Sequence, residues 1–461
     1  MGAPAMNDAA GLLARLEQVP FSWWHMRARI VMGSATFLDA FDALSLAFVL
    51  PILITLWDIS PSQVGILIGA SYIGQLFGAL LFSRLAERFG RIHIAAAATL
   101  LMSVMSLGCA LSGSFAALFV CRLVQGIGVG GEMPVAAAYI SELSRAEGRG
   151  RFFLLYEMIF PIGLMMTGQI ATLIVPTFGW KIMFLIAGIP GLIIVFLLLR
   201  LPESPRWLIT HGRLAEAEAI IRDAEARSGK APPDSKPAPA PVPPRQAAAA
   251  VPPGAPQRTR WLELVSPAYV WRSVVVWALW TAAFFVANGL NNWMPTLYKT
   301  VYGLDLQSAL RAASMTNIAQ VVLLLACALV IDRFGRRNWT VASFVISGAL
   351  LAYLGFFGAN SVTSVMILGT LAYGVVGSIN AVLYLYTPEI YPTRIRAIGT
   401  GLATSWLRLA SAAAPALVGL LVSAEGIGSV FLMFAAMSLF GALVASRMIE
   451  TRGRQLEHIA A

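Results

Sequence analysis

Charge is scarce in this chain. Only 12% of its 461 residues are Asp, Glu, Lys or Arg, against roughly 25% in a soluble domain. That shortage, with 58% hydrophobic residues, excludes a water-soluble globule. Cysteine is rarer still. Cys109, Cys121 and Cys327 all sit in apolar runs without paired spacing, which excludes a disulfide framework and reads as small core hydrophobes. The four histidines, His25, His93, His211 and His458, fall outside or at the edges of the apolar runs. An intramembrane metal or histidine-based enzyme is thereby excluded, so no metal and no catalytic residues are expected. Polar alternation is missing from the long apolar runs, so they read as helices and not as walls of a β-barrel. Nothing resembles a cleavable signal peptide, because the first apolar run begins near Ile30 and is long enough to span.

Apolar runs of membrane-spanning length are what the chain has in abundance. About 20 residues cross the hydrocarbon as a helix, and twelve such spans can be drawn. Spans 1 to 6 are expected over 30–56, 64–83, 93–112, 115–140, 151–175 and 181–201. Spans 7 to 12 are expected over 271–298, 312–331, 340–358, 363–387, 397–422 and 427–448. The net charge of +10 does not indicate nucleic acid, because the basic residues cluster in alternate short loops. Arg84, Arg88 and Arg91 share one; Arg145, Arg149 and Arg151 another; Arg333, Arg336 and Arg337 a third; Arg394 and Arg396 a fourth. The intervening loops carry little beyond Lys181, Lys299 and Arg311. This alternation follows the positive-inside rule and puts both termini in the cytoplasm.

The chain also repeats itself. Glu87-Arg88-Phe89-Gly90-Arg91 returns as Asp332-Arg333-Phe334-Gly335-Arg336, offset by 245 (332 − 87). Glu142 with Arg149 returns as Glu389 with Arg396, and Glu203 returns as Glu450, both offset by 247 (450 − 203). Three pairs at nearly one spacing mean two homologous six-span halves, the signature of a carrier that rocks one half against the other. The domains are then a cytoplasmic segment 1–29, a first bundle 30–201, a linker 202–270, a second bundle 271–448 and a tail 449–461. Within the linker, Gly212 to Ala226 reads as an amphipathic helix. Residues 231–257 hold 10 of the 25 prolines and read as an extended, disordered tether.

Candidate working residues are the charges inside the spans, which are expensive in lipid and need partners. Arg122 on span 4 has Asp39 and Asp42 at comparable depth, three apart on one face of span 1. A buried carboxylate facing an arginine can take up and release a proton, so Asp39, Asp42, Arg122 and Glu132 form the proton-coupling set. Glu132 lies ten residues after Arg122, about 80° from its face. Glu157 on span 5 suggests a gate or network role. The run Gly126-Ile127-Gly128-Val129-Gly130-Gly131 lies inside a span, so it reads as close helix contact and not as a dinucleotide loop.

Arg408, deep in span 11, has no acidic residue at similar depth in its own half. It is the candidate site for a substrate carboxylate. Asn288 and Asn291 on span 7, Asn380 and Tyr384 on span 10 and Trp406 beside Arg408 offer rings and polar edges for a flat ligand. The repeated loops, with Glu87, Arg88, Gly90, Arg91, Glu142 and Arg149 and their counterparts Asp332, Arg333, Gly335, Arg336, Glu389 and Arg396, form the candidate cytoplasmic gate.

These loops, with the Arg122-Leu-Val-Gln-Gly126 element, resemble the major facilitator superfamily over all twelve spans. Ser83 and Ala328 stand where its loop pattern usually opens with glycine. Leu-Asp-Ala-Phe-Asp on span 1, Gly-Gly-Glu-Met-Pro-Val on span 4, Tyr-Thr-Pro-Glu-Ile-Tyr-Pro-Thr-Arg-Ile-Arg-Ala after span 10 and the span-11 arginine are similar to one branch. That branch holds the bacterial niacin transporters and synaptic-vesicle-related proteins. Pro-Glu-Ser-Pro-Arg-Trp-Leu (202–208) is similar to sugar porters, but Ala-Asn-Gly-Leu-Asn-Asn replaces their paired-glutamine motif on span 7. The resemblance implies an all-α membrane protein of two pseudo-symmetric six-helix bundles in a bacterial inner membrane. It implies proton-linked uptake of a small organic acid such as nicotinate, with no cofactor beyond the proton gradient, no nucleic-acid partner and a monomeric carrier. A sugar:proton symporter and a drug or metabolite exporter are the alternatives.

Overall fold

The computed structural model describes residues 3–143, 158–228 and 261–451. Twelve of its helices are long and apolar enough to cross a membrane. In the first half they are Trp23–Trp57, Pro61–Phe89, Arg91–Leu111, Phe115–Leu143, Ile159–Phe178 and Lys181–Leu198. The second half supplies Val270–Thr300, Leu306–Phe334, Arg336–Gly358, Val362–Glu389, Thr393–Ala424 and Ile427–Ala445. These are spans 1 to 12 in order. Most exceed the expected bounds by a few residues, because polar and basic residues continue the helices past the hydrocarbon. The 231–257 tether, Arg149 and Glu157 lie outside the described residues, as do the side chains of Asp332 and Arg396.

Span ends follow local chemistry. Ser60 and Gln63 form a reciprocal capping box, with Ser60 Oγ accepting from Gln63 N at 3.3 Å and Gln63 Oε1 from Ser60 N at 2.9 Å; Pro61 fills the first helical position of span 2. Asp305 Oδ2 accepts from Ser308 N at 3.0 Å to start span 8. Gly90 and Gly335 end spans 2 and 8 with φ of 102° and 92°, a backbone region in which a side chain is strained.

Small residues set the packing. A Cβ at Gly126 would overlap the Ser71 carbonyl, and one at Gly130 the Gln75 carbonyl. The glycine run of span 4 therefore lets span 2 approach backbone to backbone. The two halves meet in the same manner, at the end of the bundle away from the termini. There a Cβ at Gly65 would stand 2.5 Å from the Pro415 carbonyl oxygen, and one at Gly69 3.1 Å from that of Ala412. Gly419 abuts Pro61 on the same seam, and Gly168 of span 5 abuts Ser314 of span 8.

At the terminal end a platform covers the first half. The linker helix Leu214–Arg227 matches the expected amphipathic segment. An N-terminal helix, Ala3–Gln18, packs on it through Leu12, Leu16 and Ile221. Arg15 locks that contact with a forked pair to Glu225 at 3.0 and 2.7 Å, and Arg206 pairs with Glu17.

Candidate functional site

Spans 1 and 4 pack against each other inside the first bundle, and their polar residues find each other there. Arg122 Nη1 donates to Asp42 Oδ2 at 3.0 Å and to Gln125 Oε1 at 2.8 Å. The second Asp42 oxygen accepts from Gln125 Nε2 at 2.7 Å and from Ser106 Oγ of span 3 at 3.0 Å. Both ends of this pair are buried, and both Asp42 oxygens have donors. Such a pair holds helices together, and removing one partner strands the other.

Asp39 is placed differently, although it was read on the same face. It is buried, and its Oδ1 has no hydrogen-bond partner among the described residues. It lies within electrostatic range of Glu132 and Asp42 and, across the boundary between halves, of Arg408. Glu132 approaches from span 4 and accepts from Thr36 Oγ1 at 3.0 Å. The two span-1 aspartates thus divide: Asp42 is committed within its own half, while Asp39 lies within electrostatic range of charges in both.

Arg408 is buried too. One of its nitrogens donates to the Thr404 carbonyl at 3.1 Å, and its Nε has no partner among the described residues. Its electrostatic neighbours are Tyr384 and Asp39. Span 1 brings an acidic residue, Asp39, within electrostatic range of Arg408.

An aromatic wall stands beside it. The rings of Trp280 and Phe284 lie 5.3 Å apart and nearly parallel at 5°, and Tyr384 meets Trp280 edge-on at 4.7 Å. Trp280 Nε1 donates to Thr387 Oγ1 at 2.9 Å, which fixes the plane of the indole. Asn288 Nδ2 donates to Ser411 Oγ at 2.6 Å, one turn from Arg408. Asn291 is buried on the same helix, and the Oδ1 of half-buried Asn380 has no partner among the described residues. Trp406 turns away from this group: it is 38% exposed and stacks on Trp277 at 5.9 Å. Two contacts bridge the halves here. Asn292 Nδ2 donates to Tyr72 OH at 3.2 Å, and Tyr384 OH approaches Met133 Sδ at 4.0 Å.

Sequence reasoning passed over Gln125, Ser106, Tyr72, Thr36 and Trp280. Gln125 had a signal, being three residues from Arg122 on one helix face. Ser106 and Tyr72 had none, because their partners are on other spans.

The repeated loops build one device twice. Glu203 accepts from the backbone N–H groups of Arg91 at 2.9 Å and Ile92 at 3.1 Å, at the start of span 3. Glu450 does the same for Arg336 at 3.0 Å and Arg337 at 3.1 Å, at the start of span 9. A carboxylate is favoured at a helix N-terminus. Arg91 then pairs with Glu142 at 3.0 Å, and Arg336 with Glu389 at 3.7 Å. Glu87, Arg88 and Arg333 are exposed. The backbone carbonyl of Glu87 joins in, accepting from Trp207 Nε1 at 2.8 Å. Gly90 and Gly335 leave room for the carboxylates: a Cβ on either would press on Glu203 or Glu450.

Comparison with known proteins agrees with this architecture. The family model described as "Sugar (and other) transporter" matches residues 31–461. The chain is 31% identical over 451 residues to the niacin transporter NiaP of Acinetobacter baylyi, covering 97% of this chain and 99% of that one. It is 26% identical over 418 residues to the 4-hydroxybenzoate transporter PcaK of Pseudomonas aeruginosa, covering 88% of each. The partially occluded inward-open structure of the xylose transporter XylE from E. coli superposes with a TM-score of 0.72 at 20% identity, covering 94% of this chain and 100% of that one. With its twelve spans in two matching halves, the chain belongs to the sugar (and other) transporter family of the major facilitator superfamily: it is a multi-pass membrane transporter and not an enzyme.

Proposed function

We propose that this transporter takes up a small aromatic carboxylate, nicotinate being the leading candidate, together with a proton. The observation that carries the reading is the buried guanidinium of Arg408, with an unpartnered Nε, beside the Trp280–Phe284–Tyr384 wall and within electrostatic range of Asp39. A planar guanidinium suits a carboxylate and flat rings suit a flat ligand. Both niacin and 4-hydroxybenzoate, the solutes in the names of two relatives, combine one ring with one carboxyl group. A sugar offers no charge to answer Arg408.

Coupling follows from the charge count at the centre. Asp39, Asp42 and Glu132 set three carboxylates against the two guanidiniums of Arg122 and Arg408. With Asp42 held by Arg122, the exchangeable proton belongs to the Asp39–Glu132 side. A substrate carboxylate arriving at Arg408 brings another negative charge close to Asp39 and favours its protonated form. Proton and substrate then bind each other's loaded state more tightly, and the coupling is reciprocal. The carrier moves both when the halves rock about the centre. The basic loops put the termini in the cytoplasm, so the glycine-lined seam of Gly65, Gly69 and Gly419 closes the outer face. The carrier works as a monomer without a cofactor.

Uptake of radiolabelled nicotinate into proteoliposomes, with and without an inward proton gradient, tests this reading. Gradient-stimulated uptake that unlabelled nicotinate or benzoate competes away is expected. Uptake of a neutral sugar that ignores both acids would remove it.

A further inference from the structure

Where span 1 begins and span 6 ends, a cleft of about 370 Å³ opens at the terminal face. Its lining includes Trp23, Arg27, Leu199, Arg200, Asp223 and Arg227. Arg227 is answered by Asp223, whose Oδ1 accepts from its Nε at 2.8 Å. Arg27 makes a hydrogen bond to the Arg200 carbonyl at 3.4 Å. No carboxylate pairs with either Arg27 or Arg200 among the described residues. The cleft therefore carries about two uncompensated positive charges.

Its other edge is apolar and faces outward. The Arg200 guanidinium lies 4.1 Å over the Phe196 ring. Phe196 and Leu199 are each 54% exposed, and Trp23 is 69% exposed. An arginine lying on an outward-facing phenylalanine at the end of a span, with an exposed tryptophan at the start of another, marks the depth of the membrane interface. A soluble anion would be served by the arginines alone. Only an amphiphile uses both edges, its charged head between Arg27 and Arg200 and its tail along Phe196 and Leu199.

We infer that this cleft binds the headgroup of one anionic phospholipid from the leaflet on the side of the termini. The lipid would touch the end of span 6, span 1 and, through Arg227 and Asp223, the linker helix Leu214–Arg227. It would hold the platform to the first half, and the second half has no part in the cleft. The site involves none of the residues assigned to the substrate or the proton.

The test is native mass spectrometry of the full-length protein in detergent, titrated with phosphatidylglycerol and separately with phosphatidylcholine of the same chain length. One phosphatidylglycerol is expected to bind in preference to phosphatidylcholine. Arg27→Ala/Arg200→Ala should weaken it by about thirtyfold, given the usual worth of two basic residues at an anionic surface. Arg84→Ala, on the exposed last turns of span 2 elsewhere on the same face, should leave binding unchanged. Millimolar inorganic phosphate should not displace the lipid. The inference falls if the double variant binds like the wild type, or if Arg84→Ala weakens binding as much. Displacement by phosphate would also overturn it, by making the cleft a simple anion site. Retained thermal stability of the double variant shows that a loss of binding is not a loss of fold.

Discussion

Asp42 meets Arg122 at 3.0 Å with both side chains out of solvent, and every oxygen of that carboxylate already has a donor. Asp39, one helical turn before it, has an oxygen with none. Two aspartates in one short stretch therefore have different surroundings.

The first consequence concerns stability. Asp42→Asn leaves Arg122 buried without its counter-charge, a change that costs about 3–5 kcal/mol in comparable buried pairs. The variant is expected to melt well below the wild type in detergent. Asp39→Asn removes no hydrogen bond from that oxygen and should melt close to the wild type. Equal melting temperatures for the two variants would contradict this division.

On the proposed function, substrate affinity depends on the shape of the Arg408 cation as well as its charge. Arg408→Lys keeps the charge and loses the planar fork, which charge-assisted hydrogen bonds make worth roughly 1.5–3 kcal/mol. Nicotinate binding measured by calorimetry should weaken at least tenfold, while proton-independent folding measures stay unchanged. An unaltered Kd would take Arg408 out of the binding site.

The repeated loops predict a contrast between two glycines. Gly90 and Gly179 both have positive φ, 102° and 79°, but only at Gly90 would a Cβ press on a neighbour, the Glu203 carboxylate. Gly90→Ala should destabilise this conformation by roughly 1–3 kcal/mol of backbone strain plus the lost cap on span 3. Gly179→Ala carries the strain alone. Thermal melts that rank the two equally would mean that Glu203 is not holding the start of span 3.

The seam between the halves gives a conformational prediction. Gly65→Leu places a side chain where the Pro415 backbone lies, so spans 2 and 11 cannot close. Nicotinate uptake should fall to background while ligand binding in detergent persists. Normal uptake would show that this seam does not need to shut during the cycle.

Much of this was legible in the sequence where the signal was local or repeated. The spans follow from apolar length, and the repeat alone matches Glu142 with Glu389 and Glu203 with Glu450. Arg122 called for a carboxylate because an isolated charge is costly in lipid. What periodicity could not give was rotation about each helix axis at the boundary between halves. Asp39 and Asp42 share a helical face within the tolerance of a three-residue step, yet side-chain neighbours on spans 3, 4 and 11 separate them. Trp406 neighbours Arg408 in sequence and still stacks outward on Trp277. The N-terminal helix Ala3–Gln18 was missed because what holds it, Glu225, lies 210 residues from Arg15.

On the proposed function, Asp39 links the proton to the anion at Arg408. The most direct measurement compares two modes of nicotinate transport by Asp39→Asn in proteoliposomes: accumulation driven by a proton gradient, and counterflow at equal pH. Accumulation is expected to be lost while counterflow continues, because exchange of loaded carriers needs no net proton movement. Accumulation at the wild-type level would contradict it and return the proton to another carboxylate.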